Sequence, residues 1–214
     1  MYISKLMTAS PITVSGLTSL PEARQILSEY QIRHLPVIDK LGKLVGILSD
    51  RDLRSAYPSS VTSKEEAILA FDHVQKSTVA DIMTTTCSTL LIDARLDDAL
   101  HIFERDKVGA IPVLDDDGKV LGLFSLLDLT SAYGKLFGVE ESGTLYFVIE
   151  DDGRDNIFGD LSALCHENNV VLRSLIRMET KKDVEKIYMR VNCLKPNKIV
   201  KMLKNQNYKL IVVS

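Results

Sequence analysis

Two hydroxyl–carboxylate pairs have residue types and a spacing that could do chemistry: Ser49 with Asp52, and Ser125 with Asp128. In each pair the acid follows the hydroxyl by three residues, just after an apolar run, Lys43–Leu48 or Lys119–Phe124. A strand that ends in serine and passes into a helix puts the serine at the N-cap and the acid in the first turn. A carboxylate there can accept from both hydroxyls of a vicinal diol, in charge-assisted bonds of about 1.5–3 kcal/mol each. The free N–H groups at the helix start suit a phosphate. The same positions also suit helix capping alone, so both roles are open at this point.

The elements that position these pairs come from a duplication. Ile3–Leu53 aligns with Val79–Leu129 without a gap, at an offset of 76 positions and with about fifteen identities. Self-similarity at a fixed offset means one structural unit used twice. In the first copy, Ile12–Val14 reads as a strand. A helix follows, capped by Thr18 or Ser19, with Pro21 in its first turn and Leu20, Ala23, Ile26, Leu27 and Tyr30 as its apolar stripe. Arg33–Asp39 reads as a strand carrying Pro36, and the missing N–H of proline predicts a sheet edge or a bulge there. Lys43–Leu48 is the next strand and Asp50–Tyr57 the next helix. The second copy repeats this order through Cys87–Ile92, a helix striped by Leu96, Ala99, Leu100, Ile102 and Phe103, then Gly109–Leu114 and Lys119–Phe124. The copies differ beside the pairs. Arg33 and His34 become Gly109 and Ala110, and Asp50 and Arg51 become Leu126 and Leu127. The two halves are therefore not functionally equal.

Past residue 133 the pattern changes. Residues 134–143 hold three glycines and read as a linker. Strands at Thr144–Glu150, Val170–Met178, Glu185–Cys193 and Tyr208–Val213, with helices begun by Asn156 and Pro196, give the order βαββαβ. Two right-handed crossovers then place both helices on one face of a four-stranded antiparallel sheet. The predicted layout is repeat 1 at 1–60, a connector at 61–78, repeat 2 at 79–133, the linker at 134–143 and a further domain at 144–214.

The 214 residues carry a net charge of −3, which argues against a nucleic-acid binder with a basic face. Cys87, Cys165 and Cys193 are odd in number and far apart, and read as reduced, structural thiols. The stretch MYISKLMTASP has no long apolar core, and no apolar run approaches the ~18 residues of a membrane span. A cytoplasmic protein is the expectation. There is no glycine-rich phosphate loop, zinc-type spacing or nucleophile elbow, and the four histidines are scattered, so an enzyme is not expected.

The doubled pattern, PVIDKLGKLVGILSDRD and PVLDDDGKVLGLFSLLD, resembles a tandem pair of cystathionine-β-synthase (CBS) domains over about residues 3–133. The resemblance implies a pseudo-twofold disc whose clefts bind AMP, ADP, ATP or S-adenosylmethionine. By position, Asp52 and Asp128 would hold ribose, and Ser49 and Ser125 phosphate. The strand segments Ile32–His34 and Val108–Ala110 suit the edge of an adenine. Gly109 and Ala110 leave room for a ring, whereas Arg33 and His34, large and cationic or nearly so, suit phosphates together with Arg51. The expected arrangement is asymmetric, with the nucleoside on Asp128. The C-terminal segment resembles an ACT domain. The loop motif D-x-x-G-x-L of that family stands here as Asn156–Leu161, and Asn169 takes the place of the glycine usual before the second strand. A CBS pair followed by an ACT-like domain resembles the bacterial acetoin utilisation proteins. The fold class expected is α+β. The function expected is a non-catalytic regulatory sensor of an adenine nucleotide, acting as a homodimer on a partner protein, with neither nucleic acid nor membrane involved. A ligand-free dimerisation scaffold is the alternative.

Overall fold

The computed structural model describes residues 1–58, 64–139, 141–178, 184–193 and 195–213. Residues 61–63, the start of the predicted connector, lie outside the described residues. The chain forms two compact units, residues 1–130 and 131–214.

The first unit contains both repeats. Repeat 1 runs β1 (Thr8–Ala9), β2 (Val14–Ser15), α1 (Leu20–Glu29), β3 (His34–Ile38), β4 (Leu44–Ser49) and α2 (Asp50–Ala56). After α3 (Lys64–Lys76), repeat 2 runs β5 (Leu90–Leu91), α4 (Leu96–Asp106), β6 (Ala110–Leu114), β7 (Val120–Ser125) and α5 (Leu126–Leu136). Local chemistry sets these boundaries. Ser19 caps α1 by accepting the Glu22 N–H at 3.3 Å, Pro21 sits in the first turn, and Leu20, Ala23 and Leu27 form the buried stripe. The β3–β4 and β6–β7 turns are built alike. The Asp39 carboxylate accepts from the N–H groups of Leu41 and Lys43, and Asp115 does the same for Asp117 and Lys119. Gly42 and Gly118 supply φ of +80° and +82°, where an L side chain would be strained.

The strand bearing Pro36 is not an edge strand. The sheet order is β2-β3-β4, and its counterpart is β1-β7-β6-β5, so β3 and β6 are both interior. Proline is tolerated because β2 is short. It reaches only Val37 and Ile38, so Pro36 lies beyond its end, and the register shifts one step on, between Val37 and Ile38.

The repeats exchange their leading segments. Thr8 and Ala9 pair with Leu123 and Gly122 of repeat 2, and Thr84 pairs back with Ile47 of repeat 1. Ile3 N–H donates to Ala94 C=O at 3.0 Å, and Val79 N–H to Thr18 C=O at 2.8 Å. At the centre Leu44 N–H donates to Gly118 C=O and Val120 N–H to Gly42 C=O. Each bond maps onto its partner by the 76-residue offset, so the duplication is a pseudo-twofold in three dimensions. The exchange also explains two glycines. A Cβ on Gly46 would lie 2.8 Å from Met83 Sδ and 2.9 Å from Thr84 C=O, and one on Gly122 would strike Met7.

The second unit begins with the end of α5. That helix continues through Gly134 to Leu136, so the stretch predicted as linker is helical at its start. Next come β8 (Thr144–Glu150), α6 (Ile157–Glu167), β9 (Val171–Met178), β10 (Lys186–Asn192), α7 (Pro196–Asn205) and β11 (Leu210–Val213). The order β11-β8-β10-β9 is antiparallel throughout, in the predicted βαββαβ sequence of elements. Phe147 and Ile149 of β8, with Ile187, Met189 and Val191 of β10, alternate onto one face and share a core with Leu161 of α6 and Leu203 of α7. Both helices therefore cover the same face. Asn169 adopts φ of +54°, the conformation for which asparagine is second to glycine. Asn156 stands at the N-cap of α6 without a side-chain capping bond. Among the described residues no helix is long and apolar enough to cross a membrane. No group of three or more His, Cys, Asp or Glu is gathered there to hold a metal.

Candidate functional site

Both predicted pairs form the same closed motif. Asp52 Oδ2 accepts from the Ser49 N–H at 2.8 Å and from its hydroxyl at 2.7 Å, while Ser49 Oγ accepts the Asp52 N–H at 3.3 Å. In repeat 2, Asp128 Oδ2 accepts from the Ser125 N–H at 2.8 Å and from its hydroxyl at 2.6 Å, and Ser125 Oγ accepts the Asp128 N–H at 3.3 Å. These are reciprocal capping boxes at the starts of α2 and α5. In both, one carboxylate oxygen carries the box, and Oδ1 takes no hydrogen bond from the described residues. Each half-buried acid thus holds its helix and keeps one acceptor oxygen in reserve. Capping leaves Oδ1 available, whereas the Ser49 and Ser125 hydroxyl protons, expected to reach a phosphate, are spent on the capping boxes.

The backbone fixes where these helices start relative to the strands. Asp50 N–H donates to Arg33 C=O at 2.9 Å, and Leu126 N–H to Gly109 C=O at 3.1 Å. The predicted adenine-edge segments are thereby tied to the helix starts that carry the acids.

His34 and Gly109 meet across the pseudo-twofold. A Cβ on Gly109 would lie 2.7 Å from His34 Nε2 and 2.9 Å from Cε1, so the imidazole fills the space that a side chain at 109 would take. The sequence had suggested that Gly109 and Ala110 leave room for a ligand ring. At Gly109 that room holds the His34 ring, and Ala110 is buried. Val108 is half-buried just ahead of β6. His34 also differs from its predicted near-cationic state. Burial pushes its pKa below the ordinary histidine value, and Arg33 adds to this, while Asp50 and Asp52 pull the other way. The shift favours the neutral ring, which has one donor and one acceptor nitrogen. Arg33 and Arg51 are exposed and make no ion pair among the described residues.

A feature the sequence reading missed lies on repeat 1. Arg33 lines a cavity of about 490 Å³ with Arg24 of α1, and with Leu53, Arg54 and Tyr57 on and just after α2. Comparing the two copies position by position would have given the signal, because Arg24 and Arg54 fall opposite Leu100 and Thr130.

The CBS domain model matches residues 3–59 and 79–135, which are the two repeats. The chain is 32% identical over 124 residues to inosine-5'-monophosphate dehydrogenase of Aquifex aeolicus, a match covering 58% of this chain and 22% of that protein. The chain thus aligns with only about a fifth of that enzyme. Among solved structures, the CBS domain pair of protein MJ0100, in complex with 5'-methylthioadenosine and S-adenosyl-L-methionine, is similar with a TM-score of 0.53 and 29% identity. That similarity covers 63% of this chain and 96% of the other. CBSX2 of Arabidopsis thaliana in complex with AMP gives a TM-score of 0.52 at 28% identity, covering 62% and 95%. With more than half of its residues matched by that model, and with two repeats that trade their leading segments about a pseudo-twofold, the chain belongs to the CBS domain family.

Proposed function

We propose that this protein is a non-catalytic regulatory sensor that binds an adenosine-containing ligand, AMP, ADP, ATP or S-adenosylmethionine, in the clefts of its CBS pair. The observation that carries the reading is the Oδ1 of Asp52 and of Asp128, without a hydrogen bond from the described residues and held at a helix start by the capping box. An acceptor fixed in this way loses little entropy when a ribose diol docks. The positive ends of the α2 and α5 dipoles suit a phosphate. The binding of S-adenosyl-L-methionine and AMP by similar CBS pairs supports the same ligand class. In this reading His34 and Arg51 face the phosphates, Arg33 lining the α1–α2 cavity instead, and the ligand regulates by preferring one arrangement of the repeats.

The C-terminal βαββαβ unit is read as an ACT-type domain that dimerises the chain or takes a second ligand, in a cytoplasmic homodimer that acts on a partner protein. A role linked to acetoin utilisation rests on the order of the two units alone. The His34 ring beside Gly109 favours a second reading, a ligand-free scaffold whose central space is filled by its own side chain. Isothermal titration with AMP, ATP and S-adenosylmethionine separates the two. Saturable binding of one of them is expected, and failure of all three leaves the scaffold.

A further inference from the structure

We propose that repeat 1 carries a second binding site, separate from the nucleotide clefts, for a small aromatic anion: a planar ring bearing one carboxylate or phosphate. The site is the cavity of about 490 Å³ between the C-terminal end of α1 and α2, within the range of about 300–1,000 Å³ typical of small-molecule sites. Its floor is apolar, from Leu27, Ile32 and Leu53.

The charge is unbalanced. Asp50 is taken up by Arg54, whose Nη2 lies 2.7 Å from Oδ2 and whose Nε donates to the Asp50 C=O. Arg24 stacks on Tyr57, its guanidinium carbon 4.4 Å from the ring centroid, and has no carboxylate partner among the described residues. Arg33 has none there either. Two guanidinium groups with no carboxylate partner of their own among the described residues thus border an apolar hollow, an arrangement suited to an anion with a flat apolar body.

The internal repeat supplies a control. The apolar positions persist in repeat 2, where Leu27, Ile32, Leu53 and Tyr57 become Phe103, Val108, Leu129 and Tyr133. The cations do not persist, since Arg24, Arg33 and Arg54 become Leu100, Gly109 and Thr130. Packing of the shared fold therefore requires the floor and not the arginines. The helix geometry separates this cavity from the nucleotide cleft. Asp50, Leu53, Arg54 and Tyr57 follow at i, i+3, i+4 and i+7 and share one side of α2, whereas Asp52 is turned about 100° from Leu53.

The test is titration of the full chain with phenyl phosphate, benzoate and inorganic phosphate, followed by calorimetry and by the methyl NMR signals of Leu27, Ile32 and Leu53. Phenyl phosphate or benzoate is expected to bind saturably at about 10 mM or below and to shift those methyls. Arg24→Ala or Arg33→Ala should weaken binding by about ten-fold or more. Saturating AMP and the Asp128→Asn variant should leave it unchanged, which keeps this result distinct from the fate of the nucleotide reading. The proposal is overturned if neither aromatic anion saturates, if inorganic phosphate binds as well as phenyl phosphate, or if the methyls stay still while calorimetry reports binding. Because the methyl shifts are read on the wild-type chain, an unfolded variant does not rescue the idea.

Discussion

Replacing Asp128 by asparagine and by alanine separates its two duties. Oδ2 accepts from the Ser125 N–H and hydroxyl at 2.8 and 2.6 Å, and Oδ1 takes no hydrogen bond from the described residues. Asparagine can turn its carbonyl oxygen to the box and keep both bonds, losing only the charge at the helix start, about 0.3–1 kcal/mol. Alanine loses both bonds at a half-buried position, and the stability cost rises to about 1–2 kcal/mol. Ligand affinity follows a different order. In asparagine the amide NH₂ takes the place of Oδ1, so the oxygen that would accept from the ribose is gone in both variants. The loss of one charge-assisted bond or more corresponds to about 10–100-fold in Kd. Urea denaturation should therefore rank wild type, Asn and Ala in descending order, while calorimetry with the preferred nucleotide should place Asn beside Ala. Wild-type affinity in Asp128→Asn refutes the reasoning, because it leaves the acid as a helix cap and moves the diol elsewhere. The matching pair at Asp52 reports whether the other cleft obeys the same rule.

Gly109→Ala drives a Cβ to within 3 Å of the His34 ring, which must swing out, at a cost of about 1–3 kcal/mol in urea denaturation. In a His34→Ala background that cost should nearly vanish, and an equal cost in both backgrounds refutes the contact. His34 also gives a pH signature. Its folded pKa is lowered, chiefly by burial, so the unfolded chain takes up the proton first as pH falls through about 6.5. The stability contributed by the neutral ring is complete above that pH and drains away below it until the folded pKa is passed. His34→Gln should flatten the decline below about pH 6.5, and an NMR titration midpoint at or above the ordinary histidine value sinks the account.

Much of the chain is legible without coordinates because its signals are local. The capping boxes join residues three apart, the Asp39 and Asp115 turns close within four, and the αL position of Asn169 is a property of one residue. The 76-residue offset likewise needs only comparison of the chain with itself. Other features were decided by which distant elements meet. The Pro36 strand is interior because β2 pairs with Val37 and Ile38, and proline is tolerated there because β2 stops short of Pro36, a matter of the partner's length that proline itself does not encode. The exchange of Thr8–Ala9 and Thr84 between repeats, the packing of Met83 and Met7 on Gly46 and Gly122, and the His34 ring over Gly109 join residues 37 to 115 positions apart. Arg24 and Arg33, which have no carboxylate partner among the described residues, came to line one cavity only when α1 and α2 were set side by side. Short-range hydrogen bonding leaves a trace in spacing. Long-range packing depends on the simultaneous fit of surfaces that no window of sequence contains.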